Sequence, residues 1–435
     1  MSSSDITVAA LTVTPTLRGN KCAWTYSDPR SNALPNIGLD MVEVWSSTTN
    51  DRTTATKVGE GITDFPHDGL VEEQTYYYWI KARDYLGTFG AWYPSGSTSG
   101  IGATAIGMSG LTLGLANGKL VASVTSNAAT VAVKTAAGND PSAADPVFVA
   151  FRNVSLAVGS YIIRCITAAL SVTLPNGATA GFVSLRPGRL WGALIDVGDG
   201  TVKIGLQNCS TASAIFGLPE YGLVTTVLND TGADSAGVMY ADAVVTGRPF
   251  RIAGFFDWNS GLATAGAWSA GPDIIQMFGP GIKKPGDTVQ VSLSIDAAFG
   301  QSASGYGIPF DDTIPQSSEG FQIFSTSITP SSKCNLIENF VEMNAGCNGG
   351  NIMIQTLFQD SGADAIAVAT TYLSNAMASF QLYDLRQPGT VSSTAYKVRL
   401  GAVSTTGSIF KNGLAAARVF GGGMSSIHRV TEVMG

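Results

Sequence analysis

With 435 residues and only 13% of them charged, about half the ~25% usual in soluble domains, the chain is long enough for several cores and poor in the charges that cover most of them. Its 51 glycines, about 12% of the chain, leave a surface of small neutral side chains that suits close approach of strands and subunits. A balance of 25 Lys+Arg against 32 Asp+Glu, net −7, argues against nucleic acid as a partner, and no run approaches the ~20 apolar residues needed for membrane insertion.

Taken from its start, Met1 to Leu17 lack the basic n-region and long apolar core of a secretory leader, so synthesis in the cytoplasm is expected. Trp24 follows on a short alternating run, a second strand is predicted at Met41–Trp45, and Leu70 precedes Tyr76 by six residues, with Tyr76, Tyr78, Ile80 and Ala82 on one face. The Gly/Ser/Thr-rich stretch Ser95 to Gly110 reads as a linker or terminal strand. Beyond it, Leu170, Val172 and Leu174 alternate with polar residues, as do Val289, Val291, Leu293 and Ile295, and Tyr396, Val398 and Leu400. Each run is expected to turn its apolar face to a core. Asn176-Gly177, Asp199-Gly200, Pro388-Gly389 and Asn412-Gly413 supply turns, so the strands are antiparallel. A second break at Gly279 to Asp287, with two prolines and three glycines, closes the middle segment. Only Gly362 to Met377 competes as a helix, and its β-branched residues equally allow two short strands. The expected architecture is all-β: domains over 1–105, 106–284 and 285–435. Leu190 to Leu206 and Asn351 to Ala369 share a strand, Asp/Gly turn, strand pattern that suggests a common plan for the last two. In the final strand, Ile427, Val430 and Val433 fall three apart, which predicts a bulge there.

Candidate chemistry is sparse. The five cysteines are odd in number, scattered and without C-x-x-C spacing, so they are expected to be reduced core residues; Cys334 and Cys347 alone are near enough to face each other on paired strands. The two histidines, His67 and His428, stand in different segments, which argues against a zinc site or a Ser/His triad. Gly279 to Lys284 lacks the Gly-Lys-Ser/Thr ending of a phosphate loop. The carboxylate pairs Asp311/Asp312, Asp360/Asp364 and Asp230/Asp234 are adjacent or flank turns, where Asp serves its own backbone. Trp258, Trp268, Tyr306, Phe310, Tyr372 and Tyr383 are candidates for core packing or for stacking on a sugar or protein. No catalytic residue, metal ligand, cofactor or receptor-contact residue is assigned.

Trp24, Leu70 and Tyr76, with Tyr76 to Asp84 (YYYWIKARD) and Gly90-Ala91-Trp92, resemble a fibronectin type III domain of the kind found in phage tail proteins. The resemblance implies a structural core at these three residues, with Tyr76 closing a tyrosine corner, although Val71-Glu72-Glu73-Gln74 stands where the family has a proline. Pro249 to Trp268 and Met277 to Asp287 are similar to a phage tail module, and Ile308 to Gln316, Leu357 to Asp360, Tyr396 to Arg399 and Arg418 to Val433 to fibre-tip modules. The fold then expected is a fibronectin type III-like sandwich followed by two antiparallel, jelly-roll-like β-sandwiches. The implied role is that of a non-enzymatic tail-fibre or receptor-binding component of a bacteriophage virion, assembled in the host cytoplasm. Its implied partners are copies of itself in a homotrimer, other tail or virion proteins, and a host surface polysaccharide or protein receptor. The alternatives are a baseplate or capsid-decorating protein that touches no receptor, and a polysaccharide-degrading tailspike.

Overall fold

A computed structural model describes residues 5–29, 38–107, 114–154, 160–223, 227–229 and 232–435. The chain is all-β, and its described strands form antiparallel sheets with a short parallel strand pairing between Val227–Asn229 and Met239–Ala241.

The N-terminal region forms a two-sheet sandwich. Thr7–Thr16, Gly19–Ser27 and Asp64–Asp68 make one sheet. Thr56–Gly61, Leu39–Ser47, Thr75–Asp84 and Ile101–Thr104 make the other, in that order. The Ser95 to Gly110 stretch thus includes a terminal strand, Ile101–Thr104, and its last three residues lie outside the described ones. Alternation places Val8, Val13, Cys22, Trp24, Val42, Val44, Tyr78, Ile80 and Ala82 between the sheets.

In the middle region, the six-stranded sheet is organised differently. Its central strands, Gly188–Asp196 and Phe250–Trp258, pair antiparallel and are buried almost throughout, so they show no in-and-out alternation. Such a run needs cover on both faces. On one side Leu190, Leu194, Phe256 and Trp258 join a core with Val131 and Val133 of Ala128–Thr135 and with Val149 and Phe151 of Val147–Arg152. On the other, Trp191, Ile195, Ile252 and Phe255 pack with Cys209, Leu218 and Met434. The break predicted at 279–287 is a pair of turns closed by Ile282 N–H on Gly279 and Asp287 N–H on Lys284.

The C-terminal region is a jelly roll. Thr288–Asp296, Ser426–Val433, Leu336–Cys347 and Met377–Arg386 lie side by side in one sheet, facing Phe321–Ile328, Thr394–Ala402, Gly350–Gln359 and Ala367–Ser374 in the other. In chain order these eight strands pair 1-8-3-6 and 2-7-4-5, two interlocked Greek keys. Of the two forms open to Gly362 to Met377, the strands formed. The shared plan of the last two regions is visible locally. Gly188–Asp196 pairs with Val202–Gln207 and Phe250–Trp258, and Gly350–Gln359 pairs with Ala367–Ser374 and Thr394–Ala402.

Three expectations need correction. The apolar side of Thr288–Asp296 faces outward, with Val291 and Leu293 each 53% and Ile295 60% exposed. Pairing with Ser426–Val433 sets this: Val291, Leu293 and Ile295 sit opposite Thr431, Arg429 and Ile427, while His428 and Val430 point into the core. The bulge lies not in the last strand but in its partner, between Thr288 and Gln290. At Asn412-Gly413, it is Asn412 that adopts positive φ, 54°, and Gly413 is extended in a short strand.

Candidate binding surface of the C-terminal domain

The residues singled out for the first domain take these positions. Trp24 is buried and its Nε1 donates to the Ile62 carbonyl at 2.9 Å. Leu70 is buried, and the Tyr76 hydroxyl accepts from the Val71 N–H at 3.3 Å, tying the loop to the strand that follows it. The more deeply buried tyrosine is Tyr78, whose hydroxyl meets Asn20 Nδ2 and His67 Nδ1, each at 3.0 Å. Burial holds the His67 imidazole below its usual pKa.

Of the paired carboxylates, Asp311 serves its own turn, while Asp360 and Asp364 accept from other segments. Asp311 accepts from the N–H and hydroxyl of Thr313, which lowers its pKa. Asp360 accepts from Ala395 N–H at 2.7 Å, and Asp364 from Gln316 Nε2 at 2.9 Å. Asp234 lies beside the Tyr240 hydroxyl, whereas Asp230 falls outside the described residues. Lys284 is neutralised by Glu220 at 3.0 Å. All five cysteines are free thiols. Cys334 precedes and Cys347 ends the same strand, so they do not face each other. Burial pushes the Cys22 and Cys334 thiols up to about 12. At neutral pH these thiols are poor nucleophiles. His428 is fully buried, with Nε2 3.4 Å from Asn339 Oδ1, and burial lowers its pKa to about 4. Among the described residues, no three His, Cys, Asp or Glu side chains converge as a metal-binding group.

The six aromatics divide cleanly. Trp258 and Trp268 lie in the middle core, edge-on to each other and to Phe182, and Tyr306 is buried with its hydroxyl on the Gly407 carbonyl. Phe310, Tyr372 and Tyr383 are exposed, at 66%, 68% and 59%. The first two belong to one side of the jelly roll. There the segment 303–320 crosses the outer face of the Thr394–Ala402 strand, seated by Ile308 over Gly401 and held by Arg399, which donates to the Glu319 and Gly320 carbonyls at 2.6 and 2.7 Å. Ser317 and Ala365 N–H groups stitch it to the turn before Ala367–Ser374. Phe310 and Ile314 stand exposed on this anchored segment; Val368, Thr370 and Tyr372 line the neighbouring edge strand. The result is an apolar and hydroxyl-bearing surface on fixed backbone, suited to stacking and apolar contact with a ligand. Alternation alone could place Tyr372 on the outer face; that Phe310 would be exposed followed from no sequence signal.

No family model and no curated protein matches the chain. Among solved structures, the chain is similar to an α-L-rhamnosidase from Dictyoglumus thermophilum at 8% identity, over 99% of this chain and 49% of that one, with a TM-score of 0.23. This chain thus spans about half the length of that enzyme. It is also similar to infectious bursal disease virus, Gx strain (10% identity, 73% of this chain and 76% of that one, TM-score 0.22). A third is the insecticidal δ-endotoxin Cry8Ea1 of Bacillus thuringiensis (8% identity, 73% and 52%, TM-score 0.16). At these scores the likenesses carry no argument about fold or function.

Proposed function

We propose that the chain is a structural component of a bacteriophage virion, a tail fibre or tip protein that attaches the particle to a host surface polysaccharide or protein receptor. It would act as a homo-oligomer with other virion proteins, the N-terminal sandwich serving as mount or spacer. The observation that carries this is the surface of Phe310, Ile314, Val368 and Tyr372, large apolar side chains held exposed on the anchored segment and edge strand of a jelly roll. Their phage setting comes from the resemblance of the sequence patches. Single contacts of this kind are weak, and several copies on one particle would bind through avidity.

The test is adsorption. Purified protein should bind host cells and compete with phage, and Phe310→Ala with Tyr372→Ala should lose most of that binding while melting like the parent. Protein that neither binds nor competes would leave a baseplate or capsid-decorating role, which labelling of virions would locate.

A further inference from the structure

A groove on the opposite sheet of the jelly roll, where that sheet meets the middle domain, has no part in the surface of Phe310 and Tyr372. It measures about 580 Å³, inside the roughly 300–1,000 Å³ of small-ligand sites. Its floor is the outer face of Ser426–Val433, Leu336–Cys347 and Met377–Arg386. Strand pairing sets Arg429, Phe340 and Tyr383 in one row, and Thr431, Glu338 and Leu385 in the next. The Arg429 guanidinium lies over the Phe340 ring, 5.4 Å from its centre, and Nη2 donates to Glu338 Oε1 at 3.0 Å. Tyr383, beside them, is more than half exposed. The wall is the middle-domain loop through Ser213 and Ile215, pinned by Thr211 N–H on the Ala214 carbonyl and by Phe216 N–H on the Cys209 carbonyl. At the corner, Gly286 N–H is tied to the Met434 carbonyl. Floor and wall are therefore set before any ligand arrives.

We infer that this groove binds a neutral saccharide, with the Tyr383 ring against the face of one sugar and Arg429 and Glu338 on its hydroxyls. Three observations choose that chemistry. The first is the lining, which sets an exposed aromatic ring directly beside charged donors and acceptors. A sugar ring offers the complement, with C–H groups on its faces for the aromatic and hydroxyls around its edge for the ions. The second is charge. Arg429 and Glu338 neutralise each other through a single contact, in a pair that can make two. A guanidinium brings five N–H donors and a carboxylate two acceptor oxygens, so both keep bonding capacity. Neighbouring hydroxyls, which donate and accept, can use it without parting the ions. An anion would meet Glu338 and a chain of net charge −7, and a cation would meet Arg429. The third is backbone. Ser426–Val433 and Leu336–Cys347 are paired on both sides, so they offer an extended peptide no ladder to join.

This goes beyond the proposed function, which sets attachment on the other sheet, and the experiment keeps the two apart. Hexasaccharides of glucose, mannose, galactose and N-acetylglucosamine are titrated into the full chain, with binding read by saturation-transfer NMR and calorimetry. At least one should bind. Tyr383→Ala should weaken that binding about tenfold, whereas Tyr383→Phe, which keeps the ring, should retain it. Both variants should melt like the parent, because the Tyr383 side chain is exposed. Phe310→Ala with Tyr372→Ala should leave sugar binding unchanged. Binding to none of the four, binding that survives Tyr383→Ala, or binding lost with Phe310 and Tyr372 instead would overturn the inference. Failure of the parent to adsorb to host cells, with sugar binding intact, would count against host attachment alone.

Discussion

The two junctions between domains are built from different materials. Between the first and middle domains the contact among the described residues is a small apolar cluster, Leu17 and Ile106 against Ala116 and Phe148, beside an open cleft of about 560 Å³. At the contact between the middle domain and the jelly roll, Arg189 and Asp257, fully buried on paired strands of the middle domain, are joined by two bonds of 2.6 and 2.8 Å. From there the hydrogen bonds run through Ser332 and Asn335 to Glu432 and Gln290, with Trp191 Nε1 on the Gly435 carbonyl. A buried ion pair is costly unless every partner is present, so this network tolerates only one relative placement of the two domains. The small apolar contact imposes no such condition. From this difference the last two domains are expected to melt as one unit, with the first as an attached neighbour.

The largest expected effect comes from breaking the polar junction. Asp257→Ala strands the buried Arg189 charge and should cost about 3–5 kcal/mol; calorimetry should then resolve separate transitions for the middle domain and the jelly roll where the parent has one. Acid is the next lever. Because His428 titrates at about 4 in the fold against 6.5 when unfolded, the unfolded chain takes up its proton first. Stability should therefore fall as pH drops through 6.5, by about 1.4 kcal/mol per unit and about 3 kcal/mol in all, levelling off below about 4. If the junction welds the two domains, denaturant melts of the parent and His428→Gln at pH 7 and 5 should show this loss in the joint transition of the parent only.

Smaller substitutions sharpen the other side of the comparison. Tyr76→Phe removes one hydrogen bond and should lower only the N-terminal transition, by about 1 kcal/mol. Leu17→Ser should shift either transition by less than about 1 kcal/mol; a large loss in both would make the first junction as strong as the second.

Much of this was legible beforehand, for reasons that also explain what was not. Period-two alternation and Gly-bearing turns identify strands wherever one face meets water, as in Thr75–Asp84 and Thr394–Ala402. The pattern cannot say which face is covered. In Thr288–Asp296, Gln290 and Ser294 turn inward, where Gln290 donates to Glu432 and Ser294 accepts from the Thr326 hydroxyl, partners more than thirty residues away. The polar junction was equally hidden: nothing in the sequence sets Arg189 opposite Asp257 until their strands pair. Of the candidate surface, Tyr372 was open to prediction and Phe310 was not, because its exposure depends on where Arg399 anchors the crossing segment.

The bonds that cross from Arg189, Asp257 and Trp191 to Asn335, Ser332 and Gly435 also bear on what happens to a load. A pull on Phe310 or Tyr372 would pass along hydrogen-bonded strands into a junction bonded at several points. The middle domain and jelly roll would then turn together, with angular compliance at the small apolar contact of Leu17 and Ile106.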